Sequence, residues 1–248
     1  MSQTENQGTL NESRARMQDF LNPSRRKPLY LERITLLRML LQLKDQVIPG
    51  DILDVGCGIK PYQSILETRE TSVYWGADYP VTMTGSYAES TRTDVHADCL
   101  KLPFNTNQFD NVINTQVLEH VPDPSQLISE MSRVLKPGGI LIITAPMTWP
   151  LHEEPYDFYR YTQHGMKHLL EASGLNILVT TGRGYAASTL GQLLLDVLFD
   201  RPENRSLLWK ICSNVTSLAV NISCEGLDKL IPASRLRLGW GMAAVKKR

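Results

Sequence analysis

Cysteine is scarce and scattered in this chain. The four thiols, Cys57, Cys99, Cys212 and Cys224, form no Cys-x-x-Cys pair. That spacing argues against a zinc knuckle and against a disulfide framework, and the thiols are expected to be reduced and mostly buried. Net charge is missing as well: Lys+Arg and Asp+Glu both number 26, so no global field attracts nucleic acid or an anionic membrane. Met1 to Arg16 is polar and lacks the apolar core of a secretory leader. Within 185–234 the longest uncharged run, Ile211 to Cys224, carries Ser, Asn and Thr throughout and is too short to span a bilayer. There is no internal repeat and no low-complexity tract. These absences leave a soluble, cytoplasmic globular protein, with 248 residues and 42% hydrophobic content to build a core.

What the chain does contain is an alternation of short apolar runs and helical stretches. Candidate strands are Ile52–Val55, Val73–Ala77, Val95–Ala97, Asn111–Asn114, Ile140–Thr144, Asn176–Thr180 and Leu236–Val245. Helical stretches are expected near Tyr30–Gln46, Tyr62–Thr68, Pro124–Leu135 and Gln163–Ser173, with Thr162 as an N-cap and Gly174 just past a helix end. Strands alternating with helices predict an α/β fold whose parallel sheet is covered on both faces. Residues 1–29, which include the basic Arg25-Arg26-Lys27, are read as a flexible arm before a domain spanning 30–248. The stretch 185–234 breaks the rhythm with apolar helices at Leu190–Phe199 and Leu207–Val220, joined by Asp200-Arg201-Pro202. It is read as a helical insertion before the last strand, suited to a lid, an association surface or plain core packing.

The strongest chemical signal is Leu53-Asp54-Val55-Gly56-Cys57-Gly58. A strand ending in Gly-x-Gly turns sharply and lets backbone approach a ligand with no Cβ in the way. Pro61 suits the first turn of the helix that follows. Asp78, followed by Tyr79, ends the second strand 24 residues after Asp54, near the offset of roughly 20 at which an acid meets ribose hydroxyls in dinucleotide-binding units. Asp98 and Cys99 follow the third strand. In such sheets ligands bind at the carboxyl ends of the strands, so the three segments should converge. A nicotinamide cofactor is disfavoured: Pro61 stands where its fingerprint needs a third glycine, and clustered carboxylates repel a pyrophosphate while suiting a sulfonium and an ammonium.

With the block from Phe109-Asp110-Asn111-Val112-Ile113 to Leu118-Glu119-His120-Val121, and Leu135-Lys136-Pro137-Gly138-Gly139, these segments resemble the small-molecule class I methyltransferases over roughly residues 51–180. The resemblance implies a Rossmann-like sheet of seven strands with helices on both faces and an antiparallel last strand, and S-adenosylmethionine as cofactor. It implies that Gly56 and Gly58, with Cys57 between them, shape the loop around the methionine moiety and that Asp54 lies near its ammonium. Asp78, beside Tyr79, would bind the ribose hydroxyls, Asp98 and the backbone at Cys99 the adenine, and Gln116 and Val117 would line the sulfonium end. His120 falls in a recurrent family element and is given a structural role.

After the fifth strand, residues 149–162 form a dense run of ionisable and aromatic groups beside the ligand edge, the usual place for acceptor residues. The run resembles a subset of the family with a His-Glu-x-Pro-x-Asp-Phe-x-Arg-Tyr pattern, associated with surface-polysaccharide and sugar-modifying pathways. Here His152 is the candidate base for a hydroxyl acceptor, with Glu153 or Asp157 to orient it. The alternative is a salt-bridged loop in which Asp157 pairs with Arg160 and His152 caps a turn. A metal reading of His152, Glu153 and Asp157 has no diagnostic spacing, and no metal is assigned. The resulting expectation is a methyltransferase for the oxygen of a small-molecule or glycan-related acceptor, with no nucleic-acid partner. A non-catalytic binding protein of the same fold is the alternative, and oligomeric state is left open.

Overall fold

The computed structural model describes residues 17–79, 93–199, 206–232 and 235–248. Residues 1–16 of the expected arm and the Asp200-Arg201-Pro202 joint lie outside them. The chain runs α1 (Tyr30–Leu43), β1 (Gly50–Val55), α2 (Gln63–Leu66), β2 (Thr71–Asp78), β3 (Val95–His96), β4 (Phe109–Thr115), α3 (Pro124–Val134), β5 (Leu135–Pro146), α4 (Gln163–Ala172), β6 (Leu175–Arg183), α5 (Ala186–Phe199), α6 (Leu207–Leu230) and β7 (Gly239–Lys246). The strands form one seven-stranded sheet in the order β3-β2-β1-β4-β5-β7-β6. β7 alone runs antiparallel, pairing with β5 on one side and β6 on the other. The expected sheet is therefore present, including the reversed last strand.

The two-residue period of a strand divides the core between the faces of the sheet. Leu53, Val55, Val112, Leu141, Ile143 and Ala244 pack with Leu127, Ile128 and Met131 of α3 and Met166 and Leu170 of α4. Ile52, Ile113, Ile140, Ile142 and Ala243, which alternate with them, pack with Leu36, Met39, Leu40 and Leu43 of α1 and with Leu66. Helix starts follow capping chemistry. Asp123 accepts from the Gln126 N–H at 3.0 Å ahead of Pro124, and Thr162 accepts from the Gly165 N–H at 3.1 Å.

Of the elements whose bounds differ from expectation, three do so for a plain local reason. The helix after the glycine loop is a single turn, because the Thr68 N–H bonds the Thr71 hydroxyl at 2.8 Å and turns the chain into β2. β7 begins at Gly239 rather than Leu236; Leu238 instead bonds through its N–H to the Arg183 carbonyl at 3.0 Å. α6 continues ten residues past Val220 to Leu230, since its polar residues mark its packed face rather than its end. Ser213, Ser217 and Asn221 are buried there. The Asn221 amide donates to the Arg25 and Lys27 carbonyls at 2.8 and 3.1 Å. Glu225 pairs with Arg25 and Arg38 at 2.7 and 2.6 Å. Asp228 accepts from the N–H groups of Ala187 and Ser188 at 3.1 and 3.2 Å, satisfying free donors at the start of α5. Residues 17–29, read as part of a flexible arm, are tied to α6 by these bonds and to Tyr62, the residue before α2, by the Phe20–Tyr62 ring contact. No helix of the described residues is long and apolar enough to cross a membrane.

Candidate functional site

Four adjacent strand tips build the site. After β1, Gly56 takes φ 75° and Gly58 φ 49°, a left-handed backbone that other residues resist. A Cβ on Gly56 would lie 2.4 Å from a Val117 methyl carbon, so the loop can pass under the tip of β4 only as glycine. Asn114 of β4 donates to the Val55 carbonyl at 2.9 Å and holds the two tips together. At the tip of β2, Asp78 accepts from the Gly58 N–H at 2.7 Å and from the Tyr79 N–H at 2.8 Å. Asp98, beyond β3, accepts from the Leu100 N–H at 2.9 Å, a local turn that holds the backbone at Cys99. Burial pushes the Cys57 thiol up to about 12 and the Cys99 thiol up to about 11, and the Asp78 charge adds to both. Asp78 is thus bonded directly to the glycine loop, and Asp98 follows the neighbouring strand β3.

Asp54 is buried at the end of β1. One carboxylate oxygen accepts from the Tyr74 hydroxyl at 2.8 Å, and the other accepts no hydrogen bond among the described residues. Burial pushes its carboxyl up to about 7, with the Asp78 charge adding and the Tyr74 bond opposing. A folded pKa above the unfolded value of 3.8 means the native state holds this proton more tightly. The group's favourable contribution to stability is complete below the unfolded value and is lost as pH rises through about 7. Asp54→Asn removes that loss: between about pH 5 and 8 its urea midpoint should fall less steeply than the parent's. A slope equal to the parent's would count against the buried charge.

Lys60, Asp94 and Arg183 gave no signal at the level of residue pattern. Lys60 reaches the Asp94 carboxylate, which also accepts from the Gly76 N–H at 2.7 Å, and so clamps β1's loop to β2. Gln116 has φ 54°, and its amide is fully engaged: it donates to the Thr144 hydroxyl at 3.0 Å and accepts from Arg183 at 2.6 Å. Arg183, 2% exposed, also pairs with Glu32 of α1 at 2.7 Å. The Gln116 side chain is therefore committed to the fold, and what it offers a ligand is backbone.

The loop after β5 is stitched to the turn after β4. The N–H groups of Phe158 and Tyr159 bond the Glu119 carbonyl at 2.9 and 3.3 Å, and the Tyr161 hydroxyl bonds the Leu118 carbonyl at 3.1 Å. Arg160 organises it, donating to both Asp157 oxygens at 2.6 and 2.7 Å and to the carbonyls of Trp149, Pro150 and Tyr159. That pairing holds the Asp157 carboxyl down at about 2. Asp157 also accepts from the His152 N–H at 3.0 Å and lies 3.3 Å from His152 Nδ1. The salt-bridged loop and the oriented histidine are thus the same structure. Glu153 is exposed at φ 54°, and it is Asp157 that reaches His152. The residue that joins His152 from elsewhere is His120, whose ring packs edge-on at 4.6 Å between centroids. Glu119, beside it, is fully buried.

Comparison with known proteins agrees with this geometry. The methyltransferase domain family matches residues 53–143. A probable S-adenosylmethionine-dependent methyltransferase of Mycolicibacterium smegmatis is 32% identical over 142 residues, covering 53% of this chain and 54% of that protein. The demethylmenaquinone methyltransferase of Staphylococcus aureus is 34% identical over 116 residues, covering 43% and 48%. The chain therefore spans about half the length of the curated relatives it matches. The structure of an S-adenosylmethionine-dependent methyltransferase from Mesorhizobium loti superposes with a TM-score of 0.53 at 17% identity, over 87% of this chain and all of that one, a likeness of fold. Residues 53–143 thus match the methyltransferase domain family, and the strand order and the glycine loop with its facing acids agree with that match.

Proposed function

We propose that the protein transfers the methyl group of S-adenosylmethionine to an oxygen of a small-molecule or glycan-related acceptor, in the cytoplasm. The convergence of Asp54, the Gly56–Gly58 loop, Asp78 and Asp98 on neighbouring strand tips carries this reading. Gly56, Cys57 and Gly58 would curve around the methionine moiety. Its ammonium would find the Asp54 oxygen that otherwise has no partner, an arrangement that relieves a buried, unsatisfied acceptor. Asp78, next to the exposed Tyr79, would take the ribose hydroxyls, and Asp98 with the backbone of Cys99 the adenine. The Gln116 backbone and the Val117 side chain would line the sulfonium end. When bound, the cofactor supplies an electrophilic methyl carbon.

The chain's own task is then to position the acceptor and handle its proton. His152 Nδ1 lies 3.2 Å from the Pro150 carbonyl and 3.3 Å from Asp157, which favours a proton on Nδ1 and a lone pair on Nε2. Burial and the neighbouring His120 lower its pKa, so the ring is neutral near pH 7 and able to take a hydroxyl proton. Trp149, Tyr156, Phe158 and Tyr159 would wall a sugar or ring.

Calorimetric titration of the full chain tests the cofactor reading. S-adenosylhomocysteine should bind one per chain and at least about 100-fold more tightly than NAD; comparable or reversed affinities would remove it. With an acceptor in hand, His152→Gln should lower kcat by about 100-fold or more, and unchanged turnover would remove His152 from the chemistry.

A further inference from the structure

Glu119 presents an unsettled account of its own. The residue is fully buried, and neither carboxylate oxygen accepts a hydrogen bond among the described residues. A buried carboxyl in that condition either keeps a proton or takes a cation as its partner. His120 Nε2 lies 3.8 Å from one of its oxygens, too far for a hydrogen bond.

Both histidines beside it are prepared in the same way. His120 Nδ1 lies 2.7 Å from the Tyr156 carbonyl, so that nitrogen carries the proton and Nε2 the lone pair. His152 Nδ1 faces the Pro150 carbonyl and Asp157, with the same consequence. A ring whose Nδ1–H is held by a carbonyl or carboxylate, leaving Nε2 free, is the usual state of a metal-ligating histidine. One donor atom each from Glu119, His120 and His152 lie within 4.8 Å of one another. Drawing them to the roughly 2.0–2.2 Å bonds of a divalent transition metal requires about 1 Å of side-chain movement. Closure on the Glu119 side is complete, whereas the side chains of His120 and His152 stay 17% and 25% exposed. The set is thus open to solvent on the histidine side.

We propose that Glu119, His120 and His152 bind one divalent transition-metal cation, with zinc, cobalt, manganese or ferrous iron as the chemical class that two imidazoles and a carboxylate select. Three protein ligands leave coordination positions free, and an oxygen of the acceptor fills one of them. The cation then positions that oxygen and makes its hydroxyl more acidic; with the cation bound the released proton passes to solvent, and His152 serves as the proton acceptor only in the cation-free protein. This use of the site rests on the methyltransferase reading; cation binding does not.

Titrating the chelator-stripped full chain with Co2+, followed by its visible absorption and by calorimetry, tests the proposal. One cation should bind per chain, and Glu119→Gln and His152→Gln should each weaken binding about 100-fold or more. The glutamine at 119 is isosteric and removes a buried ionisable group, so circular dichroism and urea unfolding should show a folded protein. Absence of stoichiometric binding, or parental affinity in both variants, would overturn the site. Titration of the same samples with S-adenosylhomocysteine separates the two readings. Cation binding without cofactor binding supports the site while removing the methyltransferase reading. Cofactor binding without cation binding overturns the site alone.

Discussion

Arg183→Met is expected to destabilise the protein by about 3–5 kcal/mol, the scale for breaking a buried ion pair from one side. The guanidinium is 2% exposed and holds Glu32 of α1 at 2.7 Å and the Gln116 side chain at 2.6 Å. Methionine fills similar volume, so the loss is chiefly electrostatic: Glu32, itself 17% exposed, is left without its counter-ion. Gln116 loses an anchor at φ 54°, where a non-glycine residue persists only because its surroundings hold it. Urea unfolding would show the loss as a lower midpoint with little change in slope. A change under about 1 kcal/mol would mean that water reaches Glu32 and the network adds little. Replacing Glu32 in the same background should cost little more, since the two residues share one interaction.

The second large effect concerns the cofactor. Asp78→Ala should weaken S-adenosylhomocysteine by about 100- to 1000-fold, the equivalent of two charge-assisted hydrogen bonds to the ribose. The residue also accepts from the N–H groups of Gly58 and Tyr79 at 2.7 and 2.8 Å, so the alanine variant loses the loop's anchor too. Asp78→Asn keeps one acceptor oxygen, and an intermediate loss is expected from it. Calorimetry on folded variants decides the matter. If Asp78→Ala binds within about threefold of the parent, the ribose assignment is wrong.

Much of the fold and of the cofactor edge was legible in the residues. Alternating apolar runs named all seven strands, and Thr162 announced the start of a helix by the same hydroxyl bond that the structure contains. Gly56, Asp78 and Asp98 were readable because each sits at the end of a strand, where position along the chain dictates position in the sheet. Gln116 was found but its amide was not seen to be engaged, because Thr144 and Arg183 lie 28 and 67 residues away. α6 was cut short because Ser213, Ser217 and Asn221 look like surface, while its large apolar residues Leu207, Ile211, Val215 and Ile222 are exposed.

Local physics is therefore enough for strand, turn and cap, and with them for which residues fall at the strand tips. Long-range pairing is another matter. The meeting of Glu119 and His120 with His152, and of Glu32 with Arg183 across 151 residues, depends on how loops fold back over the finished sheet. No spacing encodes such contacts, because burial and charge compensation act between side chains only after the sheet and its helices have brought them within a few ångströms.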